Sequence, residues 1–202
     1  MKYFFTSDLH LQHSNIIIYC SRPFKDVEEM DNEIIRKWNE RVKIEDTVFM
    51  IGDFIFKGGK EGGMNKALVY EKKLNGKIIY IRGNHDTNNS MNTIIESLQI
   101  KYGGRRINLV HQTEHVKRGM LNLVGHVHGA WKFKWYEVRK QTAPNKYVVI
   151  DIDYTTPCVN VGVDVNNFYP MDIQEITQLV ASEQRKLLSQ VKVIGGENVK
   201  KV

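Results

Sequence analysis

Apolar positions along this chain switch repeatedly between strand-like and helical spacing, and the switches mark out its elements. Tyr3-Phe4-Phe5 predicts a first strand from Lys2 to Ser7. Met30, Ile34, Trp38 and Val42, with charges between them, predict an amphipathic helix over Val27 to Val42. A second strand follows over Thr47 to Gly52. The glycine-rich stretch from Lys57 to Gly63 then reads as a mobile loop, and Met64 to Leu74 as a helix that stops at Asn75-Gly76. Lys77 to Ile81 is a third strand and Asn92 to Leu98 a short helix. Strands dominate from there, over Arg106 to Val110, Leu121 to Val124, Tyr147 to Ile152 and Val159 to Val165. The last helix is expected over Asp172 to Val191, with Ile173, Ile176, Leu179, Val180, Leu187 and Leu188 on its apolar side. Residues 194–202 read as a fraying tail. Alternation early and consecutive strands late predict a mixed α/β sandwich, not one doubly wound sheet. No repeat or linker divides the chain, so 1–193 is expected to form a single domain.

Composition narrows the picture only a little. The chain has 202 residues, enough for a sizeable core, with 42% hydrophobic and 26% charged residues as in ordinary globular proteins. Its 29 basic against 23 acidic residues give a net charge of +6, which favours anionic partners without selecting one. Cys20 and Cys158 are far apart and form no CxxC, which argues against a disulfide framework or a thiolate metal site and for a reducing compartment. No secretory leader precedes the first strand and no apolar run approaches a membrane span, so a cytoplasmic location is expected and the sequon at Asn88-Asn89-Ser90 carries no weight.

Candidate chemistry changes the picture more. Five strand-like runs each deliver Asp, His or Asn at one end: Asp8 and His10, Asp53, Asn84 with His85 and Asp86, His111, and His126 with His128. Packing alone does not explain that regularity. Nitrogen and oxygen donors on rigid supports suit a pair of divalent ions, which together acidify a water and clamp a phosphoryl group. Asp8 and His10 alternate along what reads as extended backbone and so project to one side, as do His126 and His128. Asp53 is placed to bridge, and Asn84 and His111 complete the second set. His111 is preferred to His115 because it directly follows a strand.

At these positions the chain resembles the calcineurin-like metallophosphoesterase superfamily, whose pattern Asp-x-His, Gly-Asp, Gly-Asn-His-Asp/Glu, His, Gly-His-x-His is present here in order. His10-Leu-Gln-His13, Ser21-Arg22-Pro23-Phe24 and Asn160-Val-Gly-Val-Asp164 are similar to a small bacterial and phage branch. The resemblance implies a four-layer α/β/β/α sandwich of two mixed sheets flanked by helices. It implies Asp8, His10, Asp53 and His128 on one ion and Asp53, Asn84, His111 and His126 on the other. His85 would donate a proton to the leaving oxygen, and the ions would be Mn, Fe, Zn, Ni or Co rather than Mg alone. The phosphoprotein phosphatase branch continues Gly-Asp with an orienting Asp and a phosphate-binding Arg. Phe56 and Lys57 stand there instead, which argues against that branch. Asp86 is expected beside His85 in the catalytic set, orienting it or its neighbours, or else as the cap of the helix that follows.

Other candidates are weighed against plainer readings. His13, Arg22 and Lys57 are expected as substrate contacts, against turn, structural and solvated roles. Asp151 and Asp153 alternate with no histidine near, which favours a sheet edge or a loop entry. Trp131 to Lys140 interleaves aromatic and cationic residues beside the histidine pair, and reads either as a β-hairpin packed on the domain or as a surface for stacked bases. The leading expectation is a dinuclear phosphoesterase acting on a phosphodiester or phosphomonoester by a metal-bound hydroxide. A nuclease acting on single-stranded nucleic acid and a metal-bearing, non-catalytic scaffold are the alternatives. No membrane partner is expected, and the oligomeric state is open.

Overall fold

The computed structural model describes residues 1–56, 64–88, 91, 93–144 and 146–197. Strands β1 (Tyr3–Thr6), β2 (Thr47–Ile51) and β3 (Lys77–Ile81) run parallel, and the short β9 (Met171–Asp172) adds antiparallel to β1, giving a sheet of order β3-β2-β1-β9. The second sheet has the order β4-β5-β6-β8-β7. In it β5 (Arg105–Val110), β6 (Leu121–Val124) and β8 (Lys146–Asn160) are parallel, with β4 (Ser97–Tyr102) and β7 (Phe133–Ala143) antiparallel at the edges. Both sheets are mixed and helices flank them, as the sequence implied.

The period-2 alternation of each strand sorts its side chains into two cores. Phe4, Val48 and Met50 face the helices α1 (Ser14–Tyr19), α2 (Val27–Arg41) and α3 (Met64–Glu71), where they meet Ile16, Met30, Ile34, Trp38 and Ala67. Their neighbours Phe5, Phe49, Ile51 and Ile81 face the second sheet and pack on Ile107, Leu109, Leu121, Leu123 and Val159. Burial on both faces is why β1 and β2 read as continuous apolar runs. Helix α4 (Ile173–Glu197) adds Ile173, Ile176 and Val180 to the core between the sheets. Asp26 caps α2 by accepting from the Glu29 backbone N–H at 2.8 Å. The Trp38 indole N–H reaches the Asn75 carbonyl at 2.9 Å, tying α2 to the turn before β3.

Four local readings are corrected. The helix expected from Asn92 to Leu98 is absent over the described part of that stretch, and β4 begins at Ser97 instead; Asn92 itself lies outside the described residues. Gly103 and Gly104, at φ +54° and +81°, make the two-residue hairpin loop that pairs Tyr102 with Arg105, so hairpin pairing decides the structure there. The strands expected at Tyr147 and Val159 are one continuous strand, β8, which ends at Asn160. Helix α1 has no counterpart among the expected elements. Finally, α4 continues to Glu197, into the stretch that reads as tail. The glycine-rich loop 57–63 and residues 198–202 lie outside the described residues.

Parallel order matters for function because the C-terminal ends of β1, β2 and β3 lie side by side, as do those of β5, β6 and β8. Ser7 and Gly162 form a bridge that joins the two sheets at this end.

The packing of α2 predicts that Trp38→Ala, at a residue 1% exposed, lowers unfolding free energy by about 3–5 kcal/mol. Ile44→Ala, at a residue 84% exposed, should change it by about 0.5 kcal/mol at most. Urea denaturation followed by circular dichroism measures both; a loss below about 1 kcal/mol for Trp38→Ala would contradict the assigned core.

Candidate metal centre

The site forms where five strand ends meet. Asp8, His10, Asp53, His126 and His128 all have left-handed backbones, at φ 60°, 50°, 59°, 69° and 44°. Extended alternation was expected to turn each pair to one side; the structure instead flips the chain at both members. Such residues cost about 1–2 kcal/mol each and persist only where surroundings over-determine them. Here they do. Asp8 N–H donates to the Gly52 carbonyl at 3.1 Å, His10 N–H to the Asp53 carbonyl at 3.0 Å, and His126 N–H to both Asp8 carboxylate oxygens at 3.0 Å. Two glycines allow the approach. A Cβ on Gly52 (φ +83°) would lie 2.6 Å from Gly83 Cα, and one on Gly83 would strike the Asp53 carboxylate.

The predicted ligands converge. Asp53 Oδ2 lies 3.4 Å from His10 Nε2 and 3.2 Å from His111 Nε2. Asn84 Oδ1 lies 2.9 Å from His111 Nε2 and 2.8 Å from His126 Nδ1. Donor atoms of Asp8, His10 and His128 fall within 4.8 Å of one another, as do those of Asp8, Asp53 and His111.

Proton positions show what the cluster lacks. His111 Nδ1 is 2.9 Å from the Ile51 carbonyl, which can only accept, so Nδ1 carries a proton and Nε2 is left facing two oxygen acceptors. Only a second proton or a cation satisfies that arrangement. Burial opposes a charged His111, yet Asp53 and Asp8 outweigh it and raise its pKa to about 9. Burial lowers His10 to about 3 despite Asp53, and its Nε2 is buried without a hydrogen-bond partner. Burial pushes the Asp8 carboxyl up, whereas Asp53, against the same burial, is held down to about 2 chiefly by His111 and His10. Two buried carboxylates, a lone imidazole nitrogen and a carboxamide oxygen are a donor set that fits divalent cations of the imidazole-binding kind.

Comparison with known proteins gives the same direction. The family described as calcineurin-like phosphoesterase matches residues 1–190. The chain belongs to the calcineurin-like phosphoesterase family. It is 33% identical over 180 residues to the uncharacterized protein MJ1445 of Methanocaldococcus jannaschii, covering 89% of this chain and 91% of that one. A solved structure, the protein of unknown function AQ665 from Aquifex aeolicus, superposes with a TM-score of 0.63 at 26% identity, over 88% of this chain and 98% of that one. Divalent metal binding is typical of the calcineurin-like family, and Asp8, His10, Asp53 and His111 are candidate ligand groups for it here.

The remaining predicted residues of this calcineurin-like site divide into those at its mouth and those beneath it. His85 is exposed, with its ring edge-on to His10 at 5.1 Å and its backbone N–H on Asp53 Oδ1 at 2.9 Å. His13 stacks on Phe56 at 4.1 Å between centroids and lies 6.5 Å from His85. Phe56 thus packs on a buried histidine next to the site, where another branch carries an orienting carboxylate. Asp86 is buried, and its Oδ2 accepts from both Asp53 N–H and Gly83 N–H at 2.8 Å. Through these bonds it holds two ligand loops together.

The substrate contact expected of Arg22 is corrected. Its side chain is fully buried, and its nitrogens donate to the Asp8 carbonyl at 2.7 Å, the Leu9 carbonyl at 2.9 Å and Asp164 at 2.8 and 3.1 Å. The guanidinium props the first ligand loop from below and does not reach toward a phosphate. Lys57 lies outside the described residues. His115 sits in a turn, and it is His111 that reaches Asn84 and Asp53. Asp153, on β8, pairs with Arg118 of the turn before β6 at 3.0 Å.

Two residues of the site are absent from the set that the sequence predicts. Asp164 accepts from His128 Nδ1 at 2.8 Å as well as from Arg22, which fixes the tautomer and aim of His128. Asn160 donates to the carbonyls of His128 and Trp131, each at 2.8 Å. Both follow the rule used for the other ligands, a polar residue at or just past a strand end, now applied to β8.

If Arg22 is a prop, Arg22→Met should cost about 3–5 kcal/mol of stability by stranding Asp164 and weaken metal binding about 10–100-fold. Denaturant unfolding and metal titration check this. Unchanged stability with only a raised KM would restore the phosphate-contact reading.

Proposed function

We propose that this chain is a dinuclear metal-dependent phosphoesterase. The observation that carries the proposal is the position of Asp53 Oδ2, flanked by His10 Nε2 at 3.4 Å and His111 Nε2 at 3.2 Å, one nitrogen from each predicted ligand set. Asp8, His10, Asp53 and His128 would hold one ion, and Asp53, Asn84, His111 and His126 the other. When bound, the ions would neutralise phosphoryl charge and make a water acidic enough to attack at neutral pH.

The chain's own groups do the rest. The Ile51 carbonyl and Asp164 hold His111 and His128 in the tautomers that present Nε2 inward. The Asp53 and Gly83 N–H groups, gripped by Asp86, keep the bridging carboxylate at a fixed distance from Asn84. His85, exposed at the mouth beside His10, donates an imidazole N–H proton to the leaving oxygen. The imidazole-rich donors select Mn, Fe, Zn, Ni or Co. Phosphate esters are the substrate class, monoester or diester, and His85 distinguishes the reading from a metal-bearing scaffold, which has no use for a proton donor.

Asp53→Asn should reduce metal-dependent hydrolysis of an aryl phosphodiester to the level of the metal-free protein; full activity would refute the bridging assignment. His85→Ala should keep its metals yet lose about 10²–10⁴-fold on alkyl esters, and far less on esters with activated aryl leaving groups. Equal losses on both classes, measured as kcat, would exclude the proton-donor role.

A further inference from the structure

Beside the centre lies a second space that catalysis does not use. A cavity of about 590 Å³ opens between the turn that follows β5 and the β7–β8 hairpin. His126 lines the cavity and also faces Asn84 in the metal centre, so the two spaces adjoin at that side chain. Its hairpin wall carries Trp131, Lys134, Tyr136 and Tyr147, and Glu114 stands opposite. The volume falls within the range of small-molecule sites, and aromatic lining with a few polar groups is typical of them.

Charge decides which part of a substrate would enter. Lys134 is paired with Glu137 at 2.6 Å and lies 5.4 Å above the Trp131 ring, so its charge is already engaged. Glu114 adds a further negative charge. The cavity thus offers no uncommitted cation to a phosphate, whereas the neighbouring histidine cluster does, and the aromatic lining suits an uncharged, planar group. Glu114 and the Thr113 hydroxyl offer acceptors for the ring N–H and amino groups that a heterocyclic base presents and a phenyl ring does not.

We propose that this cavity seats the base of a nucleotide, so that the phosphoester acted on is a nucleoside phosphate rather than a sugar or lipid phosphate. The inference rests on the phosphoesterase reading for the bond that is broken, but the seating of the base is independent of turnover. Tyr136 and Tyr147 are the specificity-determining residues. Stacking on aromatic side chains tolerates any base, so discrimination among bases is expected to be weak.

The test is equilibrium binding of adenosine 5′-monophosphate, ribose 5-phosphate and phenyl phosphate to the zinc-loaded protein by calorimetry, without turnover. Adenosine 5′-monophosphate should bind about tenfold or more tightly than either of the other two. Replacing both tyrosines, Tyr136→Ala with Tyr147→Ala, should bring the ratio of affinities for adenosine 5′-monophosphate and ribose 5-phosphate close to one. The double replacement by Phe, which keeps both rings and the hairpin surface, should preserve that ratio. Equal affinities in the wild type, no binding of any of the three, or a ratio untouched by the alanine pair would overturn the proposal. Should the base preference hold while no phosphoester is hydrolysed with any metal, the catalytic reading fails and the cavity assignment stands. Hydrolysis without base preference leaves the catalytic reading in place and overturns the cavity assignment.

Discussion

Asp8 and Asp53 place carboxylate oxygens within 4.8 Å of each other at residues no more than 1% exposed, and the rest of this end of the molecule is built around that fact. Two buried anions so close repel each other and have lost their water. Something positive must sit with them. His111 supplies part of it by keeping a proton that burial alone would remove, and backbone N–H groups of His126 and His85 supply more. His10, held neutral with its Nε2 unpaired, supplies none. The site is thus electrostatically incomplete in a way that divalent cations resolve, and the family to which the chain belongs binds such ions.

Keeping this arrangement in place takes more of the chain than the predicted ligands. Five of them adopt left-handed backbones. The strain is distributed over β1, β2 and the β6 end together, and backbone bonds between loops hold Asp8, His10 and His126 in place. Arg22 lies beneath the first loop and links its carbonyls to Asp164, which in turn aims His128. A single buried guanidinium therefore connects both sheets' ligand loops. The parallel order of β1, β2 and β3 is what brings Asp8, Asp53 and Asn84 to adjacent strand ends, and the Ser7–Gly162 bridge brings the second sheet's residues up to them.

Much of this is legible in the sequence because each ligand follows an apolar run, and strand ends are local features. Asn84, His111 and His126 lie within hydrogen-bond distance of one another through Asn84 Oδ1. What is not legible depends on long-range geometry. Arg22 and Asp164 are separated by 142 residues, so no local pattern shows that the arginine is saturated. Asp86 looks like a catalytic neighbour of His85 because they are adjacent in sequence, yet its carboxylate turns back to Asp53. The left-handed turns are hidden because non-glycine residues rarely adopt them, and β4 resembles a helix locally because its identity comes from pairing with β5. The hairpin at Trp131 shows in its alternation, whereas the cavity it forms with the turn after β5 has no local signature.

The central claim is that two cations complete this cluster of buried carboxylates and imidazoles. Elemental analysis of the purified chain after loading with zinc and removal of excess metal tests it most directly. The account predicts two ions per chain, falling to one in Asn84→Ala, which removes a ligand from only the second set. A wild-type chain that retains one ion or none, or an Asn84→Ala variant that still holds two, would contradict it.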